Sequence, residues 1–321
     1  MDQPRDANRL KGVRIPDHGK RLGREEGLAY ILERLWTFIV KPVLDALSTK
    51  VRTLSRLAPS DYMQNSTNIQ RIWWCPTGPL AFLPIHAAGI YPDGPKLSDM
   101  VISSIIPSLG TLEKASTPLT GKPQLLTVAL PTEARLPATR DEVRGIAQHG
   151  KGINVIELFE SNATKECVLD AIKHSQWVHF ACHGKQNLGE SAESFLQLAN
   201  SKLTLTEIIG LNLPNAELAF LSACETATGD KQLEEESVHL AAGMLLAGYR
   251  GVIATMWSID DTLASEIAIE TYRLLFNQCN ADYRRAADAL HFAVKNIRKY
   301  KEDKGEKVPL FNLVPFVHLG V

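Results

Sequence analysis

Two apolar runs in this chain stop at reactive side chains. Trp177-Val-His-Phe-Ala-Cys-His183-Gly184 ends on an imidazole and a glycine, and Leu218-Ala-Phe-Leu-Ser-Ala-Cys224 ends on a thiol. A thiol is a useful nucleophile only as thiolate, and at its ordinary pKa of about 8.5 it is mostly protonated at neutral pH. An imidazole within reach corrects this by taking the proton. His183 and Cys224 lie 41 residues apart, room for one crossover between parallel neighbours. Ligands of an open parallel sheet sit outside the carboxyl ends of its strands, so adjacent strands would bring thiol and imidazole to one edge. The plain alternative for Cys224 is a small buried side chain closing an apolar strand.

The neighbouring residues carry further chemistry. Gly184 suits a backbone amide that must approach a substrate carbonyl closely, where a Cβ would intrude; it equally suits a simple turn. His179, Cys182 and His183 present three metal-ligand types. On a strand, however, positions 179 and 183 stand about 13 Å apart, whereas zinc holds every ligand within about 2.0–2.3 Å. Cys182 points to the face opposite His183 and reads as core. His179 shares the His183 face, where it either helps position that ring or is a satisfied structural histidine. Asp260 and Asp261 follow a strand ending near Trp257. They can receive a basic side chain or cap the helix that runs through Thr262, Leu263 and Ala264; Trp257 is either cleft wall or core. His86 is read as structural.

Regular alternation of elements must position these groups. An amphipathic stripe from Leu28 through Val43 predicts a helix that Pro42 should kink or restart. Ile72–Cys75 reads as a buried strand, and residues 107–123, rich in Pro, Ser, Thr and Gly, as a domain boundary. Beyond it come a strand at 125–130, a helix at 140–148, a strand at 155–159 and a helix at 165–173 capped by Thr164. The His183 strand, a polar stretch from 184 to 194 and the Cys224 strand follow. Next are a helix at 237–247 closed by Gly248, a strand at 251–256, and helices at about 261–277 and 281–299. Strand–helix alternation implies a mostly parallel sheet with helices on both faces.

Bulk properties exclude several classes. With 35 Lys plus Arg against 36 Asp plus Glu in 321 residues, no global field favours nucleic acid or an anionic membrane. The polar start holds no signal-peptide core, and the longest apolar stretch, 238–247, is too short to span a bilayer. Five cysteines at 75, 167, 182, 224 and 279 form no CxxC pair, which fits a reducing, cytoplasmic setting. Residues 1–25 read as a polar, disordered lead-in. No P-loop or dinucleotide fingerprint is present.

The two reactive blocks resemble the catalytic blocks of CHAT domains, caspase-like cysteine peptidases related to separase. Residues 73–84 (Trp-Trp-Cys-Pro-Thr-Gly-Pro-Leu-Ala-Phe-Leu-Pro), 106–109, 136–138, 254–261 and 315–320 fit the same family, so the resemblance runs from about 28 to 320. It implies a three-layer αβα fold with a mostly parallel central sheet. On this reading residues 26–118 form an N-terminal helix and a degenerate caspase-like supporting half, and 119–321 the catalytic half. It further implies Cys224 as nucleophile, His183 as base, and the Gly184 and Cys224 amides as an oxyanion hole. Asp260, Asp261 and Trp257 would stand beside the substrate cleft. The implied function is a cysteine endopeptidase cutting a protein or peptide, held inactive until a protein partner binds as relatives often are, with a basic residue preferred before the cut. Such hydrolysis requires no cofactor, metal, membrane or nucleic acid. Residues 226–236 read as a processing or gating loop, or as plain solvated surface. Two other functions stay open: a silent signalling scaffold, and a small-molecule thiol hydrolase or acyltransferase.

Overall fold

The computed structural model describes residues 22–47, 69–116, 122–130, 138–150, 152–185, 194–222, 237–276 and 281–321. Cys224, the 226–236 loop and residues 1–21 of the lead-in lie outside the described residues.

The chain opens with helix α1 (Arg24–Leu35), which buries Leu28, Leu32 and Leu35 as the stripe requires. Pro42 does not restart it. A π turn at Trp36–Val40 precedes the proline, with the Lys41 amide donating to the Trp36 carbonyl, and residues 41–47 continue as α-helix. A wider turn of this kind absorbs the donor that proline lacks.

Eight strands form the central sheet: β1 (Gln70–Trp74), β2 (Val101–Ile105), β3 (Gln124–Ala129), β4 (Asn154–Phe159), β5 (Trp177–Ala181), β9 (Leu218–Leu221), β10 (Gly251–Thr255) and β11 (Phe316–Gly320). Their spatial order is β1-β2-β11-β10-β9-β5-β3-β4. Every neighbouring pair is parallel except β10 with β11, so the strand direction reverses once, at that junction. One sheet therefore runs through residues on both sides of the 107–123 segment.

A second, antiparallel sheet of β6 (Gly184–Lys185), β7 (Phe195–Gln197) and β8 (Lys202–Thr204) continues directly from β5. It was not anticipated, because strands of two or three residues are too short to show a period. Nor were β2 and β11 expected as strands, although Val101-Ile-Ser-Ser-Ile105 has the β-branched character of one.

The helices fall on two faces. Side chains of α3 (Lys165–His174), α4 (Leu205–Gly210) and α5 (Ser237–Ala247) pack with Val178, Phe180, Ala219 and Val252. Those of α2 (Ala138–His149), α6 (Asp261–Phe276) and α7 (Ala286–Asp303) pack with Trp177, Phe220 and Ile253 on the other. Alternate residues of β5 thus enter opposite cores, as strand geometry dictates. Helices α2, α3, α5 and α6 match their predicted spans closely, whereas α4 was not anticipated. The last long helix starts later than expected, at Ala286, after a 3-10 turn at Tyr283–Arg285. Thr164 caps α3 by accepting from the Cys167 amide at 3.3 Å.

Gly248 ends α5 at φ +126°, and a Cβ there would overlap the Leu213 carbonyl. Gly248→Ala is expected to cost at least about 2 kcal/mol, from backbone strain and the clash together. Denaturant titration checks this; an unshifted midpoint would show that the turn relaxes freely.

Candidate active site

His183 stands two residues past the end of β5. Its carbonyl accepts from the Gln197 amide at 2.7 Å, and Gly184 pairs with Leu196 across the small sheet. Leu196, Leu198, Leu203 and Leu205 anchor that sheet in the core of the α3–α5 face, so the backbone of the His183-Gly184 pair is held from two directions. Gly184 is buried while the His183 side chain is partly exposed, a combination that leaves an imidazole available to solvent.

On the neighbouring strand, the Ser222 amide donates to the Phe180 carbonyl at 2.9 Å, extending the β5–β9 ladder by one residue beyond Leu221. Cys224 follows two residues later in the sequence and lies outside the described residues. Phe180 pairs with Leu221, and His183 and Cys224 each follow that pair by three residues in the sequence.

His179 and Cys182 part company as the alternation demands. Cys182 is fully buried in the α3–α5 core, where burial pushes its thiol up to about 12. His179 enters the opposite core against Phe220 and Tyr272, with ring centroids 5.0 and 5.5 Å away. These placements separate the two as metal ligands. Among the described residues no group of His, Cys, Asp and Glu could hold a metal ion.

The partner of His179 was not foreseen. Glu142 of α2 brings Oε1 to 2.9 Å from His179 Nε2, with both side chains buried, although the contact is not aligned as a hydrogen bond. Its signal in the sequence was the stripe Thr139, Glu142, Val143, Ile146, all buried on one face of α2. A carboxylate in a core stripe rarely goes unpaired.

Asp260 and Asp261 do different structural jobs. Asp260 is exposed, and its Oδ1 accepts from the Leu263 amide at 2.9 Å, capping its own helix α6. Asp261 Oδ2 accepts from the Ala138 amide at 3.1 Å, capping the first turn of α2 instead. Ser265 Oγ donates to the Ala138 carbonyl at 3.3 Å, so α6 grips the start of α2 at two points. Burial raises the Asp261 carboxyl above its ordinary range, and Glu142 and Asp260 add to this. The Ala138 amide and His183 oppose it. Asp261 and His183 are therefore electrostatic neighbours. Trp257 is half-buried: its indole Nε1 donates to the Phe311 carbonyl at 2.7 Å, and its ring lies 5.1 Å from that of Phe311.

Comparison with known proteins gives the site a context. The CHAT domain family matches residues 30–318. The structure is similar to that of the Arg-specific cysteine proteinase gingipain R (RgpB), with a TM-score of 0.51 and 12% identity over 92% of this chain and 73% of that one. The complex of Porphyromonas gingivalis RgpB pro- and mature domains compares at 0.49 and 12%, over 92% and 75%. The Saccharomyces cerevisiae separase–securin complex compares at 0.49 and 16%, over 75% of this chain but only 14% of that one. No curated protein sequence matches the chain. The arrangement of sheet and helices is thus the caspase-like one. Among the described residues no helix is long and apolar enough to cross a membrane.

Two outcomes test this account of the site. Cys75 and Cys167 are exposed and Cys182 buried, so iodoacetamide should label the first two in the native protein and Cys182 only after unfolding, as read by peptide mass mapping. For Asp261, a carboxyl raised in the fold disfavours its own ionised form, and the penalty applies once pH exceeds the folded pKa. Asp261→Asn keeps an acceptor for Ala138 without the charge. It should melt higher than the parent at neutral pH, with the gain fading near about pH 3.5, where both side chains are neutral.

Proposed function

The chain belongs to the CHAT domain family, and on that premise we propose that it is a cysteine endopeptidase acting through His183 and Cys224. The observation that supports this most is the equal offset of the two residues from the Phe180–Leu221 pair on adjacent parallel strands. Parallel neighbours lie about 4.8 Å apart, so equal advance along both would bring imidazole and thiol to one edge within side-chain reach.

In the proposed mechanism His183 takes the Cys224 proton, and the thiolate sulfur attacks the scissile carbonyl. The Gly184 and Cys224 amides hold the resulting oxyanion, each donor being worth roughly 10²–10³ in rate. The C–N bond then breaks, with His183 returning the proton to the departing amine. Water hydrolyses the thioester that remains and regenerates the thiol. Every group named belongs to the chain, so the cycle closes on residues and water alone.

The substrate is a polypeptide with a basic residue before the cut. Asp260 and Asp261 follow β10 at the edge where β5 and β9 end, and their negative charge suits such a side chain. Gingipain R is Arg-specific by name, which accords with that preference. Asp261 already caps α2, so the exposed Asp260 is the freer of the two to meet substrate, with Trp257 as the adjoining wall.

Alkylation tests the pair before any substrate is known. In protein carrying Cys75→Ser and Cys167→Ser, Cys224 should react at least about tenfold faster than a free thiol near neutral pH, and His183→Ala should abolish the excess. A peptide library should then be cut after Arg or Lys, with Cys224→Ala inert and Asp260→Ala weakening KM more than kcat. Labelling no faster than a free thiol would mark a silent scaffold. Turnover of small esters without peptide cleavage would mark a small-molecule hydrolase.

A further inference from the structure

Away from the β5–β9 edge, on the α7 face of the sheet, a cavity of about 150 Å³ opens between β2, β11, α7 and the short helix α8 (Leu310–Leu313). The proposed reaction uses none of its residues. We propose that it binds a small monocarboxylate with a compact apolar body, and that its occupancy acts on Trp257.

Size and lining define the body. An apolar cavity of about 150 Å³ accepts benzene. Here Leu290, Val294, Leu313 and Phe316 supply apolar walls. Histidines 86, 291 and 318 also line it, but burial pushes His86 and His291 down to about 4 and His318 well below its ordinary value. At neutral pH all three are uncharged, so the interior carries no cation.

Charge instead collects at the mouth. Lys295 and Arg298 line it with a single acid, Asp99. Lys295 Nζ is 3.7 Å from Asp99 Oδ1, and both side chains are about half exposed. Arg298 Nε donates to Glu302 Oε1 at 2.7 Å, also near solvent. Exposed pairs of this kind exchange partners at little cost, so a ligand carboxylate can take the place of Asp99 on Lys295 or of Glu302 on Arg298. Apolar walls beside two cations whose present partners are solvent-exposed suit an anion with a hydrophobic tail. Two adjacent cations suit a carboxylate head better than a hydroxyl.

The coupling follows from a shared wall. Leu310, Leu313 and Val314 border the cavity, and Phe311, between them, accepts the Trp257 indole bond. The same helical turn is gripped from its other side: Glu25 accepts from the Leu310 and Phe311 amides at 3.0 and 3.1 Å, and the Arg24 guanidinium sits over the Phe311 ring. His86 Nε2 contacts the Val314 carbonyl at 2.8 Å. A ligand pressing on α8 must move the carbonyl that fixes Trp257. The regulatory half of the proposal rests on the peptidase reading, in which Trp257 walls the cleft; the binding half does not.

The test uses 3-phenylpropionate as probe, titrated by calorimetry into the full chain, with 3-phenylpropanol as the neutral control. Neither titration depends on peptide cleavage, so failure here is distinct from failure of the peptidase reading. One-site binding is expected, with the carboxylate at least about tenfold tighter than the alcohol. The exposed double variant Lys295→Glu/Arg298→Glu should remove that advantage, and Leu290→Trp should fill the cavity and abolish binding. The Trp257 indole N–H resonance should shift with saturation. Equal affinity for acid and alcohol, or no saturable heat with the parent, overturns the site. Saturable binding that leaves the Trp257 resonance in place overturns the coupling.

Discussion

The parallel register between β5 and β9 is the constraint on which everything at the candidate active edge depends. Both strands are buried on both faces, so a one-residue slip would send Phe180, Phe220 and Trp177 into the wrong cores. That penalty, spread over large aromatic side chains, holds the ladder in one register. His183 lies two residues past the end of β5 and inherits its placement from strand pairs deep inside.

Three polar contacts transmit the same order to the α2–α6 face. Asp261 and Ser265 fasten the first turn of α2, and one turn later Glu142 meets His179 beneath the strand that leads to His183. The two side chains are buried 2.9 Å apart, so removing either would leave the other without its nearest polar neighbour in an apolar core. The helix start, the strand and the reactive edge are consequently linked through four side chains rather than through the sheet alone.

Much of this was legible in the sequence. Amphipathic segments such as α2 and α3 announce themselves, because a 3.6-residue repeat over ten or more positions is hard to mimic, whereas α5 is apolar nearly all round and is marked by its length and its closing Gly248. The His183 and Cys224 strands were readable from apolar runs ending in reactive residues. What escaped was short or non-local. The β6–β8 sheet has too few residues to show alternation. The insertion of β11 between β2 and β10 depends on contacts across more than two hundred positions. Pro42 marked an irregularity, but the choice between a break and a π turn rests on how Trp36 and Val40 pack. The twofold role of the acidic pair was half visible: capping is a local pattern, whereas a cap lent to a neighbouring helix is not.

The single reversal of strand direction bears on how this protein is made. β11 joins β2 to β10, so residues 316–320 are the seam between the β1–β2 edge and the remaining strands. During synthesis β1 and β2 emerge early and wait more than two hundred residues for the partner that closes their open side. Until then that edge offers unpaired amides and carbonyls to any neighbouring chain. The ribosome must deliver the more than two hundred intervening residues before the early segment is protected, so the β1–β2 edge stays open to mispairing throughout that interval.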